Sequence, residues 1–254
     1  MISVILPAYN EEDSIVSLVE AIQDTARKHI SETVAIIVID DGSTDGTVEK
    51  LSSFEKNSLI LLQHRYNKGL GEAIKSGLVA ALNVSSENDI IVTMDADNTH
   101  PPGLITRMVK LIEEGSDVVI ASRYRSGSRV IGVPVNRQIY SFMMSWMFRM
   151  LFHIPGVRDY SCGYRAYKVS VVSRAFQIWG EEFIDQSGFS CMVDILLKLR
   201  RMKIVFSEVP LVLRYDKKTS KSKMNIIRTI LLTFKLAILE VFSTGKGYSS
   251  SDRG

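Results

Sequence analysis

The sequence predicts an α/β fold, a mostly parallel central sheet with helices on both faces, followed by C-terminal amphipathic helices. Three observations lead there. Short Val- and Ile-rich runs alternate with longer helical stretches, the pattern of parallel strands joined by crossover helices. The runs are apolar throughout rather than alternately polar, as strands covered on both faces are. Polar residues gather just after the carboxyl ends of those runs, where open α/β sheets bind their ligands.

Taken in order, Ser3–Leu6 reads as the first strand and ends at Tyr9-Asn10-Glu11, with a helix near 12–29. Val34–Ile39 is the second strand and ends at Asp40-Asp41-Gly42-Ser43; Ser43 or Thr44 is the expected start of a helix near 44–55. Leu59–Leu62 leads into His64-Arg65-Tyr66-Asn67-Lys68 and a helix near 70–83. Asp89–Met94 ends at Asp95-Ala96-Asp97, and Pro101-Pro102 opens a helix near 102–114. Asp117–Ala121 is the fifth strand. Beyond it the texture changes: Arg125–Arg137 reads as a loop and Ile139–Phe152 is almost wholly apolar. Phe189–Arg201 is helix-like, Ile204–Val212 strand-like, and a basic loop follows. No repeat or linker interrupts this series, so residues 1–224 are expected to form one domain, with an amphipathic helix and flexible tail over 225–254.

Composition sets outer limits. The chain has 254 residues, 46% of them hydrophobic and 23% charged, which excludes disordered, collagen-like and disulfide-scaffold classes. A formal net charge of +3 gives no argument for nucleic acid. Cys162 and Cys191 form neither a disulfide framework nor a metal-spaced set and are expected as buried thiols in a reducing compartment. The N-terminus has no basic flank and no small-residue cleavage site, so no secretory signal is expected.

Asp95 and Asp97 lie one residue apart at a strand end. In extended backbone, positions i and i+2 share a face, so both acids can meet one Mg²⁺ or Mn²⁺, ions that also take substrate phosphates as ligands. The competing reading is turn chemistry, with Asp97 or Asn98 starting the turn before Pro101. Asp40-Asp41 sets like charges together at another strand end, which calls for a cation or a hydrogen-bonding base or ribose. Tyr9 and Tyr66 are placed to stack on a base or sugar, whereas Trp146 and Trp179 are expected in the core or an interface. His64, His100 and His153 show no metal-ligand spacing.

Five segments, taken together and in order, carry more than any one of them: PAYNE (Pro7–Glu11), DDGSTDGT (Asp40–Thr47), NKGLGEAIKSG (Asn67–Gly77), MDADNTHPP (Met94–Pro102) and SRY (Ser122–Tyr124). Over residues 2–224 the chain resembles the family 2 glycosyltransferases of nucleotide-diphospho-sugar transferase (GT-A) fold. DYSCGYR (Asp159–Arg165) and SKSKM (Ser220–Met224) make it similar to the dolichol/polyprenyl-phosphate mannose synthase branch. The resemblance implies an inverting, metal-assisted transfer of a sugar, with mannose favoured, from a nucleotide-diphosphate sugar to a polyprenyl or dolichyl phosphate. GDP-mannose is the favoured donor and UDP-glucose the next. By the same resemblance Pro7, Tyr9, Glu11, Ile39 and Asp41 line the nucleoside pocket, and Asp95, Ala96 and Asp97 bracket the Mg²⁺ or Mn²⁺ ion and the diphosphate. Arg123 neutralises phosphate or sugar-side charge. Arg137 and the Ser222-Lys223 loop face the acceptor or pyrophosphate, Arg214 is counted with the donor site, and Asp97, Arg123, Arg137 and Lys223 are the catalytic set. Thr99 stands where many mannose synthases have a Gln that completes the metal shell, and Tyr164 stands where the branch has Phe.

A lipid phosphate is ionised near neutral pH and needs no strong base to attack the anomeric carbon; it needs cations that counter the repulsion between two phosphorylated substrates. Arg137, Arg214, Lys217, Lys218, Lys221 and Lys223 are the candidates. Two alternatives stay open: transfer to a saccharide hydroxyl, for which Asp159 or Asp194 would be the base, and a nucleotide-sugar-binding protein without catalysis. No segment reaches the length and apolarity of a spanning helix. Ile139–Phe152 has a polar stripe of Gln138, Ser141, Ser145 and Arg149, and Ile226–Phe242 divides similarly. Both helices are expected to lie in the membrane interface on the cytoplasmic face, with burial in the core or a dimer as the competing reading and membrane-spanning partner subunits as a further source of anchoring.

Overall fold

A computed structural model of the chain describes residues 1–52, 54, 59–218, 234 and 238. The expected alternation is present: β1 (Ile2–Ala8), α1 (Ile15–His29), β2 (Val34–Asp40), α2 (Thr47–Leu51), β3 (Leu59–Gln63), α3 (Leu70–Val84), β4 (Ile90–Thr93), α4 (Leu104–Glu113) and β5 (Val118–Ser122). The second half adds β6 (Arg129–Ile131), α5 (Val135–Leu151), β7 (Arg165–Lys168), α6 (Val169–Trp179), α7 (Cys191–Leu199), β8 (Phe206–Pro210) and β9 (Val212–Arg214). The main sheet runs β3-β2-β1-β4-β7-β5-β8. β1 pairs in parallel with β2 on one side and β4 on the other, so chain order reverses around β1 and a crevice opens between the carboxyl ends of these strands. Ile5, Ile37, Val92 and Ile120 are wholly buried, as continuous apolar strands under two helical layers must be.

β7 is the element the sequence did not announce. It runs antiparallel between β4 and β5, and its four residues, Arg-Ala-Tyr-Lys, offer no apolar run. Arg165 is fully buried there because its guanidinium reaches the carbonyls of Cys162 and Tyr160, which closes the preceding loop. The start of α2 also differs from expectation. Ser43 Oγ accepts from Asn10 N–H at 2.8 Å and the Thr44 N–H donates to Asn10 Oδ1, so both residues serve the β1 loop and the helix starts at Thr47. α4 starts at Leu104 rather than 102, because the Pro101 and Pro102 carbonyls accept from the Leu104 and Ile105 N–H groups.

The stretch 125–137 is not all loop: it contains β6 and the first turn of α5. The strand expected over Ile204–Val212 divides at Leu211. Its N–H donates to Ser122 of the main sheet, while its carbonyl accepts from Arg129, so β9 leaves to pair with β6 in a separate two-stranded sheet.

α5 inverts the usual amphipathic rule. Its polar positions Ser141 and Ser145 turn inward: Ser141 Oγ accepts from the Tyr124 hydroxyl at 2.8 Å, and Ser145 is buried beside Phe148. Val135, Ile139, Phe142, Met143, Trp146 and Met150, on one helical stripe, are 53–70% exposed. The core reading of Trp146 and of this helix is therefore overturned, whereas Trp179 stacks on Phe183. Among the described residues no helix is long and apolar enough to cross a membrane. The expected helix at 226–242 (residues 234 and 238 apart), the tail to 254, and Lys221, Ser222 and Lys223 lie outside the described residues.

Candidate active site

The loops at the carboxyl ends of β1, β2, β4 and β5 surround a cavity of about 1060 Å³, together with α5 and the segment before α7. At one end Asp41 is held by three donors. Its Oδ1 accepts from His64 Nδ1 at 2.7 Å and Lys68 N–H at 2.9 Å; its Oδ2 accepts from Gly69 N–H at 2.8 Å. With Nδ1 donating, His64 Nε2 accepts from Ser76 Oγ at 2.9 Å, so α3 fixes the imidazole that fixes the carboxylate. Gly69 has φ of +94° and Gly71 N–H donates to the Ser187 carbonyl; a Cβ at 69 or 71 would stand 2.4 Å or 1.8 Å from a carbonyl of the 186–187 backbone. That close approach explains the glycines of the NKGLG segment.

Pro7, Tyr9 and Glu11 line the same end of the cavity. Ser14 Oγ sits 2.9 Å from Glu11 Oε2 and 3.0 Å from the Ala96 carbonyl, joining the first loop to the acidic one. Ile39 does not belong here: its side chain is wholly buried in the core and absent from the cavity wall. Tyr66 is exposed and also off the wall.

Asp95 and Asp97 both line the cavity but occupy different electrostatic settings. The Asp95 N–H donates to His100 Nδ1 at 3.1 Å, placing the ring proton on Nε2, 3.8 Å from Asp95 Oδ2. His100 is buried and stacked on Tyr164 at 4.9 Å, so Tyr164 serves as a platform for the ring. Burial pushes the Asp95 carboxyl above its ordinary range, against the pull of His100 and with a push from Asp97. Burial acts on Asp97 too, but the Lys218 ammonium and Thr99 hold that carboxyl below the ordinary range. Thr99 donates to Asp97 Oδ1 from its hydroxyl at 2.7 Å and its N–H at 3.2 Å, and Lys218 Nζ donates to Oδ2. Thr99 therefore orients Asp97 instead of reaching for an ion.

Arg214 N–H donates to the Thr99 carbonyl and thereby draws the basic segment over the acidic loop. The Arg214 side chain turns away, into an ion pair with Asp216, and leaves the cavity wall to Leu213, Tyr215 and Lys218. Arg137 and Lys218 both meet Tyr215: Arg137 lies over the ring at 5.5 Å and donates to its hydroxyl at 2.8 Å, and Lys218 lies over it at 5.8 Å. Spacing along the chain gave no way to single out Lys218 from the other lysines of its loop; only the fold brings it to Asp97.

Arg123 lines the cavity with its charge already matched. Its Nε and a terminal nitrogen donate to the two oxygens of Asp159 at 2.8 and 2.7 Å, and its N–H donates to the same carboxylate at 3.0 Å. Asp159 is fully buried, yet Arg123 holds its carboxyl below the ordinary range. Asp194 is also buried, paired with Lys198 at 2.8 Å and off the cavity wall, and burial pushes its carboxyl up to about 7. Neither candidate base faces the cavity. Cys162 and Cys191 are buried thiols, as expected, both pushed by burial to about 12.

No group of three or more His, Cys, Asp or Glu side chains suits a metal among the described residues. Asp95 and Asp97 alone nevertheless fit a hard divalent cation of the kind that takes its other ligands from water and substrate oxygens.

The model of a known family, "Glycosyl transferase family 2", matches residues 3–176. A dolichol-phosphate mannosyltransferase of Pyrococcus furiosus is 33% identical over 82% of this chain, which spans 55% of that relative's length. A polyprenol monophosphomannose synthase of Mycolicibacterium smegmatis is 28% identical over 92% of this chain and 84% of its own. The solved structure of glucosyl-3-phosphoglycerate synthase from Mycobacterium tuberculosis, in complex with Mn²⁺, UDP and phosphoglyceric acid, superposes with a TM-score of 0.65 at 19% identity. It covers 98% of this chain and 80% of that one, and shows the same GT-A fold.

Proposed function

The chain belongs to glycosyl transferase family 2, and from that premise we propose that it transfers a sugar, mannose by preference, from a nucleotide-diphosphate sugar to a polyprenyl phosphate with inversion. The observation that carries the reading is the arrangement around Asp97: an acidic pair at the crevice of the sheet, beside a clamped Asp41, beneath a wall that bears Lys218 and Arg137. The names of the Pyrococcus and Mycolicibacterium relatives support the polyprenyl class of acceptor.

Asp41, fixed by His64, Lys68 and Gly69, keeps one acceptor position, on Oδ2, for an N–H group of a nucleobase. Asp95 and Asp97 would hold Mg²⁺ or Mn²⁺, which when bound neutralises charge growing on the leaving diphosphate; solved relatives of the fold hold Mn²⁺ or Mg²⁺ with UDP. Lys218 and Arg137 place positive charge where two phosphorylated substrates meet. An ionised phosphate oxygen attacks the anomeric carbon, and the nucleoside diphosphate leaves from the opposite face with the bonding pair. No proton needs removal. The two acids named as bases for a saccharide hydroxyl, Asp159 and Asp194, lie off the cavity wall, in keeping with that step. GDP-mannose is the favoured donor and UDP-glucose the next.

The exposed apolar stripe of α5 supports peripheral contact with the cytoplasmic face of a membrane, where a polyprenyl acceptor lies. A membrane-spanning partner subunit would add anchoring. The test is incubation with radiolabelled nucleotide sugars, Mg²⁺ or Mn²⁺ and a short polyprenyl phosphate, followed by organic extraction. Label in the organic phase with one donor is expected; label that stays aqueous with every donor refutes the reading.

A further inference from the structure

The first turn of α7 meets the cavity beside the acidic pair. A Cβ at Gly163 would stand 3.4 Å from Asp95 Oδ1 and 3.6 Å from Met192 Sδ, so the missing side chain leaves the gap between Asp95 and this turn. Ser190 sits at the N-cap of α7, the position at which a serine normally bonds a backbone N–H of its own helix. Here it does not. Its backbone is already αR (φ −61°, ψ −20°), and no side-chain capping bond forms. Ser190 is 1% exposed, its Oγ has no hydrogen-bond partner among the described residues, and it lines the cavity.

A buried hydroxyl without a partner costs stability, and a fold keeps it where a ligand supplies the bond. The surroundings define the ligand. Phe189, Met192 and Val193 give apolar contact, and the helix N-terminus favours an oxygen acceptor. The nearest charge across the Gly163 gap is the Asp95 carboxylate, which opposes an anionic group. A sugar ring fits this combination, with its apolar face on the side chains and its hydroxyls toward Ser190.

We propose that Ser190 and the N-terminus of α7 form the subsite for the transferred sugar, and that Ser190 Oγ bonds one ring hydroxyl of a neutral hexose. The proposal rests on the glycosyl-transfer reading above. It makes Ser190 a specificity residue, and it separates recognition of the sugar from recognition of the nucleotide.

The test uses the full chain with Mg²⁺ or Mn²⁺, the bare nucleoside diphosphate, the nucleotide sugar that the parent turns over, and monodeoxy analogues of that donor. Ser190→Ala should bind the bare diphosphate within about twofold of the parent and lose about tenfold in kcat/KM for the sugar donor. One deoxy analogue should lose a similar factor with the parent and nothing further with Ser190→Ala. Without ligand, the melting temperature of Ser190→Ala should equal or exceed the parent's, since the substitution removes an unpaired buried hydroxyl; a purely structural serine would lower it. Ser190→Cys, nearly isosteric and a weak hydrogen-bond partner, should show an intermediate loss and carries the same test if the alanine variant fails to fold. Equal kinetics for parent and variants, or equal weakening of bare diphosphate and sugar donor, overturns the subsite while leaving glycosyl transfer intact. Failure of the parent to turn over any nucleotide sugar overturns the functional reading and the subsite together.

Discussion

Asp159→Asn is the substitution whose cost follows most directly from the structure. Asp159 is fully buried and accepts from Arg123 through Nε, a terminal nitrogen and the backbone N–H, and from the N–H groups of Ser161 and Cys162. Asparagine keeps the shape and one acceptor, but sets an NH₂ against a guanidinium that stays charged. Removing one member of a buried ion pair costs about 3–5 kcal/mol, most of it the penalty of the stranded partner. With an unfolding entropy of about 2.1 cal/mol/K per residue, a chain of 254 residues loses about 7 °C in Tm for a loss of about 4 kcal/mol. Differential scanning calorimetry of the parent and Asp159→Asn measures it. Adding Arg123→Met to the first variant removes the stranded charge and should restore about 1–3 kcal/mol. A shift below about 2 °C for Asp159→Asn, or a double variant as unstable as the two losses summed, refutes the reading of Arg123 and Asp159 as a mutually dependent buried pair.

Three further outcomes are expected. Asp97→Ala abolishes transfer and Asp95→Ala cripples it; Asp97→Ala also lowers Tm by several degrees, because Lys218 loses its partner, whereas Asp95→Ala leaves Tm close to the parent's. Calorimetry with a chelator-sensitive activity assay checks both, and full turnover by either variant contradicts the assignment. His64→Ala removes a donor to a charged acceptor worth about 1.5–3 kcal/mol and should weaken nucleoside diphosphate binding about tenfold or more in equilibrium titration, with kcat little changed at saturating donor. The parent chain floats with anionic liposomes at low salt, and Phe142→Glu with Trp146→Glu stays at the bottom of the gradient; each removes an apolar group worth about 1.5–3 kcal/mol on full burial. Recovery of the parent wholly in the soluble fraction contradicts the membrane reading of α5.

The first half of the fold was readable because each strand is a continuous Val and Ile run and each strand end carries its own polar cluster. Where sequence reasoning fell short, one residue's role was set by a distant partner. Ser43 looks like a helix cap until Asn10 occupies its hydroxyl, and β7 is a strand only because β4 and β5 leave a place for it. Asp95, Asp97 and Asp41 were identifiable by position at strand ends. His64 was visible at a strand end and Lys218 among the basic-loop candidates, but their pairing with Asp41 and Asp97, like that of His100 with Asp95, was not, since hydrogen bonds across 23, 121 and 5 positions leave no periodic trace. The polar stripe of α5 was readable, but the wall it faces was not: Ser141 meets the Tyr124 hydroxyl and Ser145 lines the cavity, placements that the helical period does not encode.

The glycine segment before α3 bears on how this enzyme can diversify. Its Lys68 and Gly69 N–H groups hold Asp41, and its Gly71 N–H holds the Ser187 carbonyl, three residues before the turn that opens α7. Because the contact is backbone on backbone, it tolerates no side chain at 69 or 71 and ties the Asp41 loop to the segment before α7. Residues 69–71 and 186–187 therefore constrain each other sterically: a chimera that exchanges the second segment without the first should disturb the loop that holds Asp41.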